Sequence, residues 1–228
     1  MNIQGYQKLT LLDFPGKVAC TVFTGGCNLR CPFCHNGGLV RTPNAFENAE
    51  AEVLSYLQKR KGLLDAVCIS GGEPLLQKDL TEFITAVRGM GYLIKLDTNG
   101  ALPQRLMPLL ENALVDYVAM DVKSSPQGYA KATGIATDFS PFGESIELIR
   151  TSGIPHEFRT TVVKGIHCME DLVAIAKHLG DQRYFLQGFV DSGDLLGEGC
   201  DAFTPEEMRS FLRAVRVYTP RAALRGIE

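Results

Sequence analysis

Val18-Ala19-Cys20-Thr21-Val22-Phe23 runs directly into Thr24-Gly25-Gly26-Cys27-Asn28-Leu29-Arg30-Cys31-Pro32-Phe33-Cys34-His35-Asn36-Gly37-Gly38. The first six residues are mostly β-branched, small or aromatic and read as a strand, which the glycines after Thr24 end. Similar short runs at residues 66–69, 92–96, 115–120, 158–163 and 184–186, each stopped by Gly, Asn, Ser or Asp, bring the expected strands to six. Segments with helical spacing separate them. Leu80, Phe83, Ile84 and Val87 share one face before Gly89, and Leu172, Ile175, Ala176 and Leu179 repeat the pattern before Gly180. The last helix has the plainest start. Thr204 as N-cap, Pro205 at the first position and Glu207 three after the cap compose a capping box, with Met208, Phe211, Leu212 and Val215 as the buried stripe. This rhythm predicts a parallel α/β sheet, curled as an incomplete barrel or wound as an open sheet. No linker or low-complexity tract interrupts it, so residues 1–228 are expected to form a single domain. In either architecture ligands bind at the carboxyl ends of the strands, which makes the residues there chemical candidates.

Charge and composition narrow the function. Of 228 residues, 23 are Lys or Arg and 26 are Asp or Glu, a formal net charge of -3 that offers a nucleic acid backbone no counter-charge. No basic-then-apolar leader opens the chain, and no apolar run approaches the ~18 residues of a membrane span. The expectation is a soluble cytoplasmic protein with neither nucleic acid nor membrane as partner. Seven cysteines, three of them within eight residues as Cys27-x-x-x-Cys31-x-x-Cys34, make a disulfide framework a poor explanation. A cubane iron–sulfur cluster normally takes four cysteines, so three would leave one iron open. A structural zinc completed by His35 is the alternative, although His35 adjoins Cys34 where zinc sites usually use two separated pairs. Chance clustering of buried cysteines is the third reading. Cys20 and Cys68 fall inside strands as small hydrophobes, Cys168 and Cys200 are isolated, and His156, His167 and His178 show no ligand spacing.

The triplet after a first strand resembles the signature of the radical S-adenosylmethionine enzymes. That resemblance implies an incomplete (β/α)6 TIM-like barrel with parallel strands. It also implies a [4Fe–4S] cluster on Cys27, Cys31 and Cys34, whose open iron is chelated by S-adenosylmethionine. Reductive cleavage of the sulfonium then yields methionine and a 5′-deoxyadenosyl radical; the cofactor carries this chemistry while the protein orients it. Phe33 would lie near the adenine. Gly71-Gly72-Glu73, ending the second strand, is similar to the family's Gly-Gly-Glu motif, with glycines permitting close backbone approach and Glu73 accepting from the methionyl ammonium.

Asp97-Thr98-Asn99-Gly100 and Asp121-Val122-Lys123 end the third and fourth strands, where they also suit turns and exposed ends. By resemblance, Asn99 contacts the cofactor, Asp97, Thr98 and Asp121 form a monovalent cation site, Lys123 meets the cofactor carboxylate, and Arg159 on the fifth strand adds a basic contact. Asp13-Phe14-Pro15-Gly16-Lys17 and Cys34-His35-Asn36 are similar to the subgroup that activates glycyl radical enzymes, nearest to the activators of anaerobic ribonucleoside-triphosphate reductase. The implied partners are that reductase as protein substrate and a flavodoxin- or ferredoxin-type electron donor. One departure stands out. Pyruvate formate-lyase activators carry Leu-Pro-Tyr-His on the sixth strand, whereas Leu186-Gln187-Gly188-Phe189 stands here, leaving Gln187 as the replacement contact. The competing readings are a small-molecule radical enzyme such as a 7-carboxy-7-deazaguanine synthase, and a zinc-stabilised interaction module.

Overall fold

The computed structural model describes residues 1–41 and 46–227. Its frame is one eight-stranded sheet, β1 (Ile3–Thr10), β2 (Ala19–Thr24), β3 (Ala66–Gly71), β4 (Leu93–Thr98), β5 (Tyr117–Asp121), β6 (His156–Val162), β7 (Tyr184–Gly188) and β8 (Ala223–Arg225), each strand beside the next in sequence. β1 runs antiparallel to β2, and every later pairing is parallel. The helices are α1 (Gly37–Arg41), α2 (Ala49–Lys59), α3 (Leu80–Gly89), α4 (Pro103–Glu111), α5 (Tyr129–Thr133), α6 (Ser140–Thr151), α7 (Met169–Leu179) and α8 (Pro205–Arg216). A strand order that never reverses sends every right-handed crossover to the same side, so helices cover one face and the sheet curls toward the other. β1 and β8 do not pair, and the barrel stays open at that seam.

The six expected strands are β2 to β7. The count of six is corrected to eight because both sheet edges lack the pattern that marks a buried strand. β1 reads Ile3-Gln4-Gly5-Tyr6-Gln7-Lys8-Leu9-Thr10, of which only the two end residues are buried, and β8 is three half-buried residues. The helical expectations hold at α3, α7 and α8. Thr204 Oγ1 accepts from Glu207 N at 3.2 Å while Glu207 Oε2 accepts from Thr204 N at 2.7 Å, and Met208, Phe211 and Val215 are buried with Leu212 partly so. No helix among the described residues is long and apolar enough to cross a membrane.

Register separates the sheet's two faces chemically, since partnered residues in parallel strands point the same way. Cys20, Val67 and Ile94 align, as do Val22, Ile69, Leu96 and Val118, and these pack under the helices in the main core. The opposite face aligns Thr21, Cys68, Lys95 and Tyr117 in one row, then Asp97, Ala119 and Glu157, then Asp121 beside Arg159, and Thr161, Gln187 and Arg225. The barrel therefore has an apolar outside and a polar, charged inside. Phe14, from the β1–β2 connection, plugs its lower end against Ala19, Ala66 and Tyr117.

Candidate functional site

At the carboxyl ends of the parallel strands lies a cavity of about 280 Å³. Cys27, Cys31, Cys34 and Phe33 line it from the loop after β2, together with His35 and Asn36. The loop is held by its own buried side chains, Leu29 and Phe33, and by backbone bonds from Arg30 N to Thr133 O (2.8 Å) and Gly26 N to Leu39 O (2.9 Å). Its outer side is covered by the chain after β7. Arg41 pairs with Asp194 at 2.5 Å, Gly197 N donates to Pro32 O at 3.0 Å, and Ser192 Oγ donates to His35 O at 3.4 Å.

Burial pushes the Cys31 thiol up to about 11 and raises that of Cys27. Lys123 works against that burial at both, favouring the thiolates a metal cluster needs. Leu29 N lies 3.4 Å from Cys27 Sγ, and Asn99 Nδ2 lies 3.7 Å from it while donating to Asn28 Oδ1 at 2.9 Å. Asn99 thus lines the cavity as expected, with its amide turned to the cysteine loop.

Gly71 and Gly72 line the cavity, but their lack of side chains serves a contact within the chain. A Cβ on Gly72 would meet Gly26 O at 2.0 Å, and one on Gly71, whose φ is +113°, would meet Thr24 N at 2.4 Å. Gly72 N donates to Thr24 O and Glu73 N to Gly26 O, both at 2.9 Å. The second strand end is clamped onto the segment that opens the cysteine loop. Glu73 lies behind this wall. Its side chain is fully buried and absent from the cavity wall; it accepts from Thr98 Oγ1 (2.8 Å), Asn99 N (2.7 Å) and Leu75 N (3.1 Å). Those three donors tie the carboxylate to Leu75 and to Thr98 and Asn99 at the end of β4.

The remaining wall is charged. Asp121 Oδ1 accepts from Arg159 Nε at 2.7 Å and its Oδ2 from Lys123 Nζ at 3.0 Å; Asp97 pairs with Lys95 and with Arg159 NH1 at 3.5 Å. Burial works against ionisation of Asp121, yet Arg159 and Lys123 outweigh it and hold the carboxyl well below its ordinary range. Asp97 is lowered in the same way by Arg159 and Lys95. The monovalent cation site expected at Asp97, Thr98 and Asp121 falls on these same cavity-lining groups. Both carboxylates already face fixed cations, and Thr98 Oγ1 donates to Glu73 while accepting from Gly100 N. Asp97, Asp121, Lys123 and Arg159 line the cavity, two charges of each sign, with Lys95 below them; Lys123 and Arg159 are the groups there that suit an anion.

Gln187 lines the cavity, as do Lys123 and Arg159. Lys95 escaped sequence reasoning, although a Lys flanked by Ile94 and Leu96 and two residues before Asp97 carries the signal: period-two alternation puts it on the face of Asp97. Ser70 and Thr161 were also missed; as ordinary strand residues they give no signal.

Three thiols on one wall of a cavity that also holds Lys123 and Arg159 fit a cluster held by three cysteines and a cofactor bearing a carboxylate. The zinc reading finds no support: among the described residues no three His, Cys, Asp or Glu groups converge as a single metal ion requires.

Comparison with known proteins bears on the same residues. The Radical SAM superfamily matches residues 21–179. A protein provisionally assigned as a glycyl-radical enzyme activating enzyme in Methanocaldococcus jannaschii is 33% identical, over 99% of this chain and 96% of its own. The pyruvate formate-lyase-activating enzyme of Listeria monocytogenes is 32% identical over 58% of this chain and 57% of its own. Among solved structures, Streptococcus suis SuiB bound to S-adenosylmethionine superposes with a TM-score of 0.72 at 14% identity, covering 89% of this chain and 49% of SuiB, a likeness of fold. The chain belongs to the radical S-adenosylmethionine superfamily, among its glycyl-radical enzyme activating enzymes, and its cofactors are a [4Fe–4S] cluster and S-adenosylmethionine.

Proposed function

We propose that this chain activates an anaerobic ribonucleoside-triphosphate reductase by removing a hydrogen atom from the Cα of one glycine of that enzyme. The observation that carries the reading is the near end-to-end match to an activating enzyme, 99% of this chain and 96% of the relative, which leaves little of the chain outside the similarity. Asp13-Phe14-Pro15-Gly16-Lys17 and Cys34-His35-Asn36 support it as subgroup motifs. In the cavity, Cys27, Cys31 and Cys34 hold the cluster, while Lys123 and Arg159 receive the cofactor's carboxylate and Phe33 borders its adenine. The backbone of Gly71 and Gly72 fixes the wall opposite. The chemistry available there is one-electron cleavage of the sulfonium, fed by a flavodoxin- or ferredoxin-type donor, giving methionine and a 5′-deoxyadenosyl radical that takes the glycine hydrogen. A glycine suits this because its Cα is unshielded by a side chain and the product radical is stabilised by both flanking amides.

The test mixes reduced holoprotein, S-adenosylmethionine and the candidate reductase without oxygen. A glycine-centred doublet in electron paramagnetic resonance is expected, and it disappears when the target glycine is changed to alanine. Turnover of 6-carboxy-tetrahydropterin with no protein radical on any candidate partner would move the assignment to a 7-carboxy-7-deazaguanine synthase.

A further inference from the structure

The residues expected to hold a monovalent cation are already surrounded by fixed charges. The resemblance implies that a mobile ion sits among Asp97, Thr98 and Asp121, and the groups around these residues are already committed. Asp121 is bridged by Arg159 and Lys123, and Thr98 Oγ1 donates its proton to Glu73 and accepts from Gly100 N. Asp97 Oδ2 accepts from Ser70 Oγ at 3.0 Å, and its Oδ1 is taken by Lys95 Nζ. Lys95 is 2% exposed, and its Nζ also lies 3.8 Å from Cys68 Sγ. A buried ammonium on a strand between Ile94 and Leu96 is costly unless a carboxylate holds it, and Asp97 is that carboxylate.

Position adds to the argument. Asp97 lines the upper cavity, whereas Lys95 lines a second cavity of about 170 Å³ below it, with Glu157 and Arg225. The ammonium reaches Asp97 Oδ1 from beneath, while Oδ2 meets Ser70 and Arg159 at the upper cavity. Burial opposes its charge, but Asp97 outweighs burial and keeps it protonated. We propose that Lys95 is a built-in counter-cation that takes the place of a monovalent metal ion at Asp97, so that this protein binds S-adenosylmethionine independently of Na⁺ or K⁺. The proposal rests on the cofactor reading of the cavity and on nothing about the partner enzyme.

The test measures S-adenosylmethionine binding to the anaerobically reconstituted protein by calorimetry, with no partner enzyme present, in KCl, NaCl or tetramethylammonium chloride at equal ionic strength. Wild-type affinity is expected to agree within about twofold across the three salts. Lys95→Met is expected to lose about tenfold in tetramethylammonium, the size of one partly screened charge contact, and to recover it in KCl or NaCl. Thallium-205 resonance should then show Tl⁺ bound to Lys95→Met and not to wild type, and Lys95→Met/Asp97→Asn, which removes both charges together, should bind none. Lys95→Gln keeps a donor to Asp97 and is read in the same way if Lys95→Met does not fold. A wild-type affinity that changes more than about fivefold between K⁺ and tetramethylammonium overturns the proposal. So does a folded Lys95 variant indifferent to the ion. A wild type that binds no S-adenosylmethionine in any salt overturns the cofactor reading itself, an outcome distinct from either.

Discussion

Glu73 and Asp121 stand at the same mouth of the barrel and are driven in opposite directions. Glu73 is fully buried, surrounded by neutral donors from Thr98, Asn99 and Leu75, and burial lifts its carboxyl from 4.5 to about 7 despite them. Asp121 also resists ionisation by burial, but it sits between Arg159 and Lys123 and is held far below its ordinary value. Three hydrogen bonds satisfy the geometry of a carboxylate without replacing the water that solvated its charge; two full cations do both. The first region is a neutral staple joining strand ends, and the second is a charged surface ready to take an anion.

The contrast can be broken hardest at the staple. Gly72→Val places carbon atoms where Gly26 O now lies, 2.0 Å from the ideal Cβ, and Gly26 directly precedes Cys27. Because the obstacle is backbone, the cost is expected to be about 3 kcal/mol or more. Iron per chain after reconstitution should fall together with S-adenosylmethionine binding; retention of full iron with only weakened binding would show that the two strand ends are not mechanically joined.

A finer comparison is through pH. Glu73 has a folded value above its unfolded one, so the unfolded chain releases its proton first as pH rises. Its contribution to stability is full below about 4.5 and drains away as pH climbs through about 7. Asp121 has the reverse sign: its contribution is present above its ordinary 3.8 and is lost only as pH falls toward its lowered folded value. Glu73→Gln loses the bond from either Asn99 N, held by Oε2, or Leu75 N, held by Oε1, costing about 1–3 kcal/mol at pH 5 and less at pH 7. Asp121→Asn should cost the same at both. Urea midpoints at the two pH values decide this, and parallel losses for wild type and Glu73→Gln would erase the distinction.

The smallest effect belongs to charges that no burial sharpens. Arg209, Arg213 and Arg216 are exposed along α8, opposite its buried stripe. Reversing all three to Glu should change stability by only about 0.5–1 kcal/mol, mainly through the last turn of the helix. A thermal unfolding shift that shrinks with added salt is the expected sign. If this face docks an acidic patch on the partner, association would slow as well.

The legible part of the molecule was the part written in local pattern. β2 to β7 carry continuous apolar or alternating runs, and the three cysteines announce themselves by spacing within one loop. β1 and β8 were missed because edge strands with one covered side do not show a buried pattern. The direction of Glu73 was illegible for a different reason. It is set by Thr98 and Asn99, 25 and 26 residues away on the next strand, and no spacing within Gly71-Gly72-Glu73 contains that information. Lys95 lay between these cases, readable from alternation once Asp97 was recognised as its neighbour on the same face.

The cover over the cysteine loop has a consequence for the order in which the protein is made. Residues 27–34 leave the ribosome early, yet the groups that close over them, Ser192, Asp194 and Gly197, come more than 150 residues later. Until they arrive, the loop that carries the three cysteines lacks its outer brace. A chain truncated before residue 192 is therefore expected to keep its three cysteines and lose the bonds to Pro32 O and His35 O that brace their loop from outside, even where most of the barrel has formed.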